Sequence, residues 1–311
     1  MPKHLYKYVG PGNVNKVFAS TELVTLKCSF PKDFNDPYEL FLTIDFNERP
    51  EVLAFYMDAV GKLPQLPTTC FSKSLSVVPM WAHYAQNLEG FALEFDEELL
   101  SENFPESGFG DVDYRDSPDD DLTDSLYRAY EIGKPRYVYF LNKGVFSAAY
   151  YTKTTCWSYE QERRMIVRVE ETRKVGDLIL MDVPKRCLTA IVCGSRSSPE
   201  SAKTLRQIAM SIGCDFYTFK TGRSSATPFF VDAEGSSFTF NGVEIARSAQ
   251  YCASCKEPLT TEEEHCSWCQ IDSSHEHDAA TRNPFRILSH YGMLGSYIEG
   301  MEEIGRKHRK K

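Results

Sequence analysis

Hydrophobic positions along the chain change their period several times, and each change marks an element. Alternation over Leu5-Tyr6-Lys7-Tyr8 predicts a short strand, Pro11-Gly12-Asn13 a turn and helix start, and Leu23 to Cys28 a second strand. The run Phe30-Pro31-Lys32-Asp33-Phe34-Asn35-Asp36-Pro37 predicts a structured loop, with Asp36 capping backbone amides. Helical spacing over 51–60 is followed by a strand at 68–72, a short helix at 77–87 carrying Met80, Trp81 and Tyr84, and a strand from Phe91 to Phe95. The acidic stretch from Asp111 to Asp124 is expected to be an exposed loop ahead of a helix. Helical character resumes toward residue 150, broken near Gly133-Lys134-Pro135. Strands are expected from Leu178 to Met181, Leu188 to Cys193 and Cys214 to Phe219, with an amphipathic helix over 199–212. Phe229 to Ile245 should form hairpins turning at Glu234-Gly235 and Asn241-Gly242. Strands interrupted this unevenly suit neither a doubly wound nor a barrel architecture. The expected class is α+β, a mixed or split β-sheet core with helices over residues 1–245.

Within this pattern Trp157-Ser158-Tyr159-Glu160-Gln161-Glu162-Arg163-Arg164 carries the most chemistry. Read as the entrance to a strand, it puts Glu160 and Glu162 on one side of a sheet with Trp157 and Tyr159 nearby. Two adjoining carboxylates repel, which raises one pKa and suits acid/base work, metal binding or stabilisation of a cationic transition state. The alternative is a solvated strand end whose glutamates pair with Arg163 and Arg164.

Composition narrows the classes. A chain of 311 residues with 42% hydrophobic and 25% charged content can bury a full core and carry an appendage. Its net charge of −9 argues against a general attraction to nucleic acid or anionic membrane. No signal-peptide pattern and no apolar run of membrane-spanning length is visible, so a cytoplasmic protein with no membrane partner is expected. No glycine-rich phosphate loop of either common type is present. Cys28, Cys70, Cys156, Cys187, Cys193 and Cys214 stand among apolar neighbours and should be buried reduced thiols.

Four segments then line up: LYKY at 5–8, FNDPYE at 34–39, CFS with MWAHYA and GFALEFD between 70 and 96, and KTTCWSYEQERR at 153–164. In content and order they resemble a bacterial family catalogued as domain of unknown function 2971, over roughly residues 4–195. The layout also resembles a divergent ADP-ribosyltransferase, with Tyr6-Lys7-Tyr8 on a first strand, Phe71-Ser72 on a middle strand and Glu160-Gln161-Glu162 on a late one. That second resemblance implies NAD as substrate, for ADP-ribosyl transfer or NAD hydrolysis on an unidentified target, in the setting of a toxin or phage-defence effector. Cleaving the nicotinamide–ribose bond develops oxocarbenium character, which Glu162, seconded by Glu160, would stabilise. Tyr6, Tyr8, Phe71 or Tyr159 would stack on nicotinamide, Lys7 contact the pyrophosphate and Ser72 the ribose. The first strand offers Lys7 where better-known transferases have Arg or His, with His4 close by.

Each of these residues also has a packing role open to it. Tyr6 and Tyr8 alternate as sheet-packing residues do, Trp81 and Trp157 suit core anchors, and Arg163 suits neutralisation of the carboxylates. His83 suits a general base, a ligand or a histidine bonded to backbone. A metal-dependent nuclease using Asp36, Glu39, Lys153, Glu160 and Glu162 is a second reading, although no tight Asp…Glu-x-Lys spacing appears. A non-catalytic binding regulator is a third.

The C-terminal signal is different in kind. Cys252, Cys255, Cys266 and Cys269 form C-x2-C-x10-C-x2-C, two knuckles able to supply four thiolates to one structural zinc. His265, His275 and His277 are spare ligands. A zinc ribbon over 246–273 is therefore expected, followed within 274–311 by a closing helix from about Thr281 to His308. That helix would end in the basic run Arg306-Lys307-His308-Arg309-Lys310-Lys311. Ribbon and tail together would offer a docking surface for a protein or nucleic-acid target.

Overall fold

The computed structural model describes residues 4–308, which fall into two compact units divided after Ser248. The first unit is α+β. Its strands are β1 (His4–Val9), β2 (Leu23–Cys28), β3 (Thr68–Ser72), β4 (Phe91–Asp96), β5 (Gly108–Asp111), β6 (Asp113–Tyr114), β7 (Thr152–Lys153), β8 (Glu162–Ile166), β9 (Thr172–Val175), β10 (Leu178–Pro184), β11 (Leu188–Cys193), β12 (Asp215–Lys220), β13 (Phe229–Asp232), β14 (Ser237–Phe240) and β15 (Ile245–Arg247). Ten of them make one mixed sheet in the order β15-β14-β13-β12-β11-β4-β1-β3-β8-β5, with β11 and β12 parallel. A three-stranded sheet, β2-β10-β9, and the short parallel pair β6-β7 complete the β structure.

Alternation along β1 explains how the central strands are covered on both faces. Leu5 joins Phe71, Leu93, Phe95 and Met165 in one core cluster, while Tyr6 and Tyr8 join Trp81, Ala92, Val192 and Phe219 in another. Strand β4 lies between the two clusters, which is why FALEF is buried throughout. Its entry is tight: a Cβ on Gly90 would lie 2.1 Å from the Val9 carbonyl oxygen.

The sheet is unevenly joined. β1 pairs with β4 along its whole length, His4↔Asp96 to Val9↔Phe91, and β3 pairs with β8 from Thr68↔Ile166 to Ser72↔Glu162. Between β1 and β3 only Tyr6↔Ser72 is in register. The backbone ladder is weakest there, and a cleft opens at that seam.

Helices α1 (Val14–Val17), α2 (Pro50–Ala59), α3 (Val78–Tyr84), α4 (Glu97–Asn103), α5 (Asp120–Ile132), α6 (Pro135–Tyr151) and α7 (Pro199–Ile212) surround the sheets. Gly133, at φ +64, closes α5 in the left-handed conformation, and Pro135 opens α6 in its first turn, so the break read from Gly133-Lys134-Pro135 is a cap followed by a start. Helices α2, α5 and α6 pack on one another around Val52, Leu126, Leu141 and Val145. The acidic stretch is not the uniform loop expected from 111 to 124: β5 ends in it, β6 lies in it, and α5 starts at Asp120 behind the Asp119 cap. Short polar strands of this kind carry no apolar alternation.

In the second unit the backbone N–H of Cys252 donates to the Glu257 carbonyl and that of Lys256 to the Cys252 carbonyl, forming the first knuckle. The N–H of Cys269 donates to the Cys266 carbonyl in the second. Three helices follow, α8 (Ser273–Arg282), α9 (Pro284–His290) and α10 (Leu294–His308), where one closing helix from about Thr281 was expected. Asn283 caps α9 with Pro284 at its start, and Gly292 at φ +68 turns the chain into α10. Arg306, Lys307 and His308 occupy the last turn of α10, and Arg309, Lys310 and Lys311 of the expected basic run lie outside the described residues. No helix among the described residues is long and apolar enough to cross a membrane.

Candidate active site

The cleft at the β1–β3 seam has a volume of about 900 Å³, toward the upper end of the range of small-molecule and cofactor sites. Its walls include Tyr6, Lys7, Tyr8, Phe71, Ser72, Glu160 and Glu162. His83 and Tyr159 are not among them. They lie beside it, the His83 Nδ1 and Tyr159 hydroxyl 3.0 Å apart and His83 exposed.

Glu160 and Glu162 do meet, although not by strand alternation. Thr155–Glu160 is a 3-10 helix, Gln161 takes a left-handed φ of +45, and only Glu162 begins β8. The two carboxylates are joined instead by Lys153 from β7, whose Nζ donates to Glu160 Oε2 at 2.6 Å and to Glu162 Oε2 at 3.3 Å. The Lys153 ammonium also lies 4.6 Å from the centre of the Trp157 ring. Across β8, the fully buried Arg164 donates from Nε to Glu162 Oε1 at 2.7 Å. Its two terminal nitrogens reach Glu39 Oε2 at 2.9 Å and Oε1 at 2.6 Å. Neutralisation therefore falls to Arg164 and Lys153 and not to Arg163, which pairs with Glu97 and Asp111 on the opposite side of the strand. The solvated strand end is replaced by a buried network, with Glu160 and Glu162 each 3% exposed.

Burial and charge pull the two acids apart. Burial alone would raise the Glu162 carboxyl, but the Arg164 and Lys153 cations outweigh it and hold the group at about 2. At Glu160 burial prevails and its pKa is raised, against the opposing pull of Lys153. Glu39 is likewise raised by burial, despite Arg164. Three carboxylates, Glu39, Glu160 and Glu162, face two cations, Lys153 and Arg164, so full ionisation leaves one formal negative charge on this wall (3 − 2 = 1).

Several side chains hold the pair in place. Ser72 donates its hydroxyl to the Glu160 carbonyl at 2.7 Å and accepts from the Ser74 amide at 3.2 Å, so its oxygen is committed to positioning the Glu160 backbone. The Tyr84 hydroxyl donates to Glu160 Oε1, and the Glu162 amide donates to the Tyr114 hydroxyl at 2.8 Å. Tyr6 donates to Glu94 Oε2 at 2.9 Å with its ring edge-on to Phe240, and Tyr8 donates to the Ser74 carbonyl with its ring edge-on to Trp81. Phe71 packs against Phe95. These three rings are core residues whose edges form cleft wall, not free stacking platforms.

Lys7 differs from the other cations. It is partly exposed, its Nζ donates to Thr69 Oγ1 at 3.0 Å and the Cys70 carbonyl at 2.8 Å, and no carboxylate among the described residues lies within ion-pair distance. Burial pushes its pKa down. Exposed Lys16 and Lys27 add positive charge to the wall formed by α1, β2 and β9, where Arg173 is paired with Asp182.

Sequence reasoning did not single out Phe34 and Tyr84 as cleft aromatics, or Glu39 and Arg164 as partners. Phe34 lies in the FNDP loop and carries the Arg164 guanidinium 5.2 Å from its ring centre. Asp36 accepts from the Tyr38 amide at 2.9 Å, the capping role its loop implied. Of the thiols expected to be buried, Cys156 is exposed and Cys70 and Cys214 are half-buried.

Away from the cleft, the sulfurs of Cys252, Cys255, Cys266 and Cys269 all lie within 4.8 Å of one another and could hold a metal ion. His275 is occupied with Asp272 at the start of α8, His265 is half-buried and His277 is exposed. No curated protein and no solved structure matches the chain. Residues 80–165 match the family model described as Protein of unknown function (DUF2971), a stretch that takes in MWAHYA, GFALEFD and KTTCWSYEQERR but neither LYKY nor FNDPYE. This segment, which supplies Tyr84, Lys153, Glu160 and Glu162 to the cleft, is the part of the chain that is similar to that family.

Proposed function

We propose that the cleft binds NAD and breaks its nicotinamide–ribose bond, passing ADP-ribose to an acceptor or to water. The observation that carries this reading is a pair of carboxylates of opposite acidity on the wall of a cleft large enough for a dinucleotide. Glu162, ionised at neutral pH, stabilises the oxocarbenium ion as the bonding pair leaves with nicotinamide. Glu160, with its raised pKa, takes the proton of the attacking hydroxyl as the new bond forms at the ribose carbon. The surplus negative charge of the network favours a cation at this wall, while Lys7, Lys16 and Lys27 suit the diphosphate. The adjacency of β1, β3 and β8, with Tyr6, Ser72 and Glu162 in one cross-strand row, agrees with the transferase-like layout.

The nuclease reading ranks second because direct metal ligation would have to displace the cations that hold these oxygens, Arg164 at Glu39 and Lys153 and Arg164 at Glu160 and Glu162, whereas Glu162 acts on the oxocarbenium ion through its charge and each Glu160 oxygen keeps a second lone pair for a proton. In the second unit we assign the four thiolates to zinc: tetrahedral Zn–S bonds of about 2.3 Å imply sulfurs about 3.8 Å apart, and Cys255 and Cys266 are 3.8 Å apart. A closed four-thiolate site leaves no position for substrate, so its role is structural. A thermal-shift comparison of NAD, ADP-ribose and divalent metals tests the assignment of the cleft. NAD and ADP-ribose should stabilise the protein, and stabilisation by divalent metal alone, with metal-dependent cleavage of DNA or RNA, would reverse the ranking.

A further inference from the structure

Beside the cleft lies a second cavity of about 330 Å³, sharing Phe34 as a wall and bounded also by Asp36, Glu39 and Phe41. Asp36 is 4% exposed. Its Oδ1 accepts from the Tyr38 amide, but its Oδ2 is buried without any hydrogen-bond partner. A buried anionic oxygen without a donor is costly, and native structures rarely leave one so. Glu39 cannot share the role, since both its oxygens accept from Arg164. Lys32, the cation in the cavity wall, lies over the Phe30 ring and forms no ion pair with Asp36.

We propose that this cavity is a binding site for an alkylammonium group, with Asp36 Oδ2 accepting from the ammonium and the Phe34 and Phe41 rings flanking its stem. A single available carboxylate oxygen is too few for a hard metal ion, which needs six or more oxygens. A compact ammonium can be held by one charge-assisted acceptor beside aromatic rings, with its other N–H groups directed to the ring faces and to water. The volume suits an unbranched amine, and Phe41, 63% exposed, stands at the surface where such a stem could enter. The site is independent of the reading of the cleft.

Titration calorimetry on the full chain tests it with butylammonium and Nα-acetyl-lysine amide, against butanol and Nα-acetyl-norleucine amide as uncharged controls. One or both amines should bind saturably at millimolar concentration and the controls should not. Preference for butylammonium would mark a free amine as the ligand, and preference for the lysine amide a target side chain. Asp36→Asn keeps the Oδ1 acceptor for Tyr38 and turns the other atom into a donor, so affinity should fall about ten- to a hundredfold. Phe41→Ala, at an exposed position, should weaken binding by a smaller factor and decides the matter if Asp36→Asn fails to fold. No saturable binding of either amine, or binding that neither substitution changes, would overturn the assignment.

Discussion

Arg164→Met is the sharpest probe of the buried network, because it keeps most of the side-chain stem and removes the charge that holds Glu39 and Glu162. The guanidinium makes contacts of 2.6–2.9 Å to both carboxylates and donates to the Tyr150 carbonyl at 2.8 Å, all out of water. Removing one partner of a buried ion pair strands the other, which costs about 3–5 kcal/mol. Here two carboxylates are stranded with only Lys153 left, so the upper half of that range is expected. Glu162 supplies a pH signature. Its folded pKa of about 2 lies below the ordinary glutamate value, so its contribution is fully present above pH ~4.3, roughly 3 kcal/mol, and is lost as pH falls toward 2. Glu39 and Glu160, whose pKa values are raised, act in the opposite sense and gain as acid protonates them. The Glu162 part is isolated by subtracting Glu162→Gln from wild type. Urea unfolding followed by circular dichroism across this pH range is the assay. The Arg164→Met protein should lose the stability and the acid-sensitive difference together, and Arg164→Met with Glu39→Gln should recover part of the loss by removing one stranded charge. A loss below about 1 kcal/mol, the scale of an exposed pair, would refute the reasoning.

Three further outcomes follow from the same geometry. Protein purified without added metal should contain about one zinc per chain by elemental analysis, and chelation should unfold the second unit while the first keeps its melting transition; a metal-free, folded second unit would contradict the assignment. Gly90→Ala should destabilise the first unit by about 1–3 kcal/mol or more in urea unfolding, because the new Cβ meets the backbone of Val9, Gly10 and Ala85 and not a movable side chain. Lys7→Met should weaken ADP-ribose binding about tenfold in calorimetry with little effect on folding, since Lys7 has no carboxylate to leave unpaired; an unchanged affinity would remove Lys7 from the anion-binding wall.

How much of this was legible in the sequence depended on the range of the signal. Strands such as Leu23–Cys28 and Leu188–Cys193 carry their own apolar pattern, and the hairpin turns near Gly235 and Gly242 sit at positive φ as their residues imply. The convergence of Glu160 and Glu162 was visible, but its cause was not. Alternation in a strand was expected, whereas a left-handed Gln161 and Lys153 bring the acids together. No local pattern announces that a residue such as Gln161 will be left-handed. The Glu39–Arg164 pair joins residues 125 apart and is set by tertiary packing alone. The interruption of the closing helix was readable after all, because Asn283-Pro284 is a cap followed by a first-turn proline, but helical spacing through 281–308 outweighed it. The thiol spacing of the second unit was the strongest signal because metal ligation is local, and its four sulfurs do converge.

The central claim is that Glu162 acts on NAD through its charge. Glu162→Gln preserves shape and hydrogen-bonding reach, so the two proteins should be compared for nicotinamide release, with and without cell extract as a source of acceptor, and for NAD affinity by calorimetry on the same preparations. Wild type should release nicotinamide, the variant should do so about a hundredfold or more slowly, and NAD affinity should change far less. Wild-type protein that binds no NAD and releases no nicotinamide even with extract present, or a variant that turns over as fast as wild type, would contradict this claim.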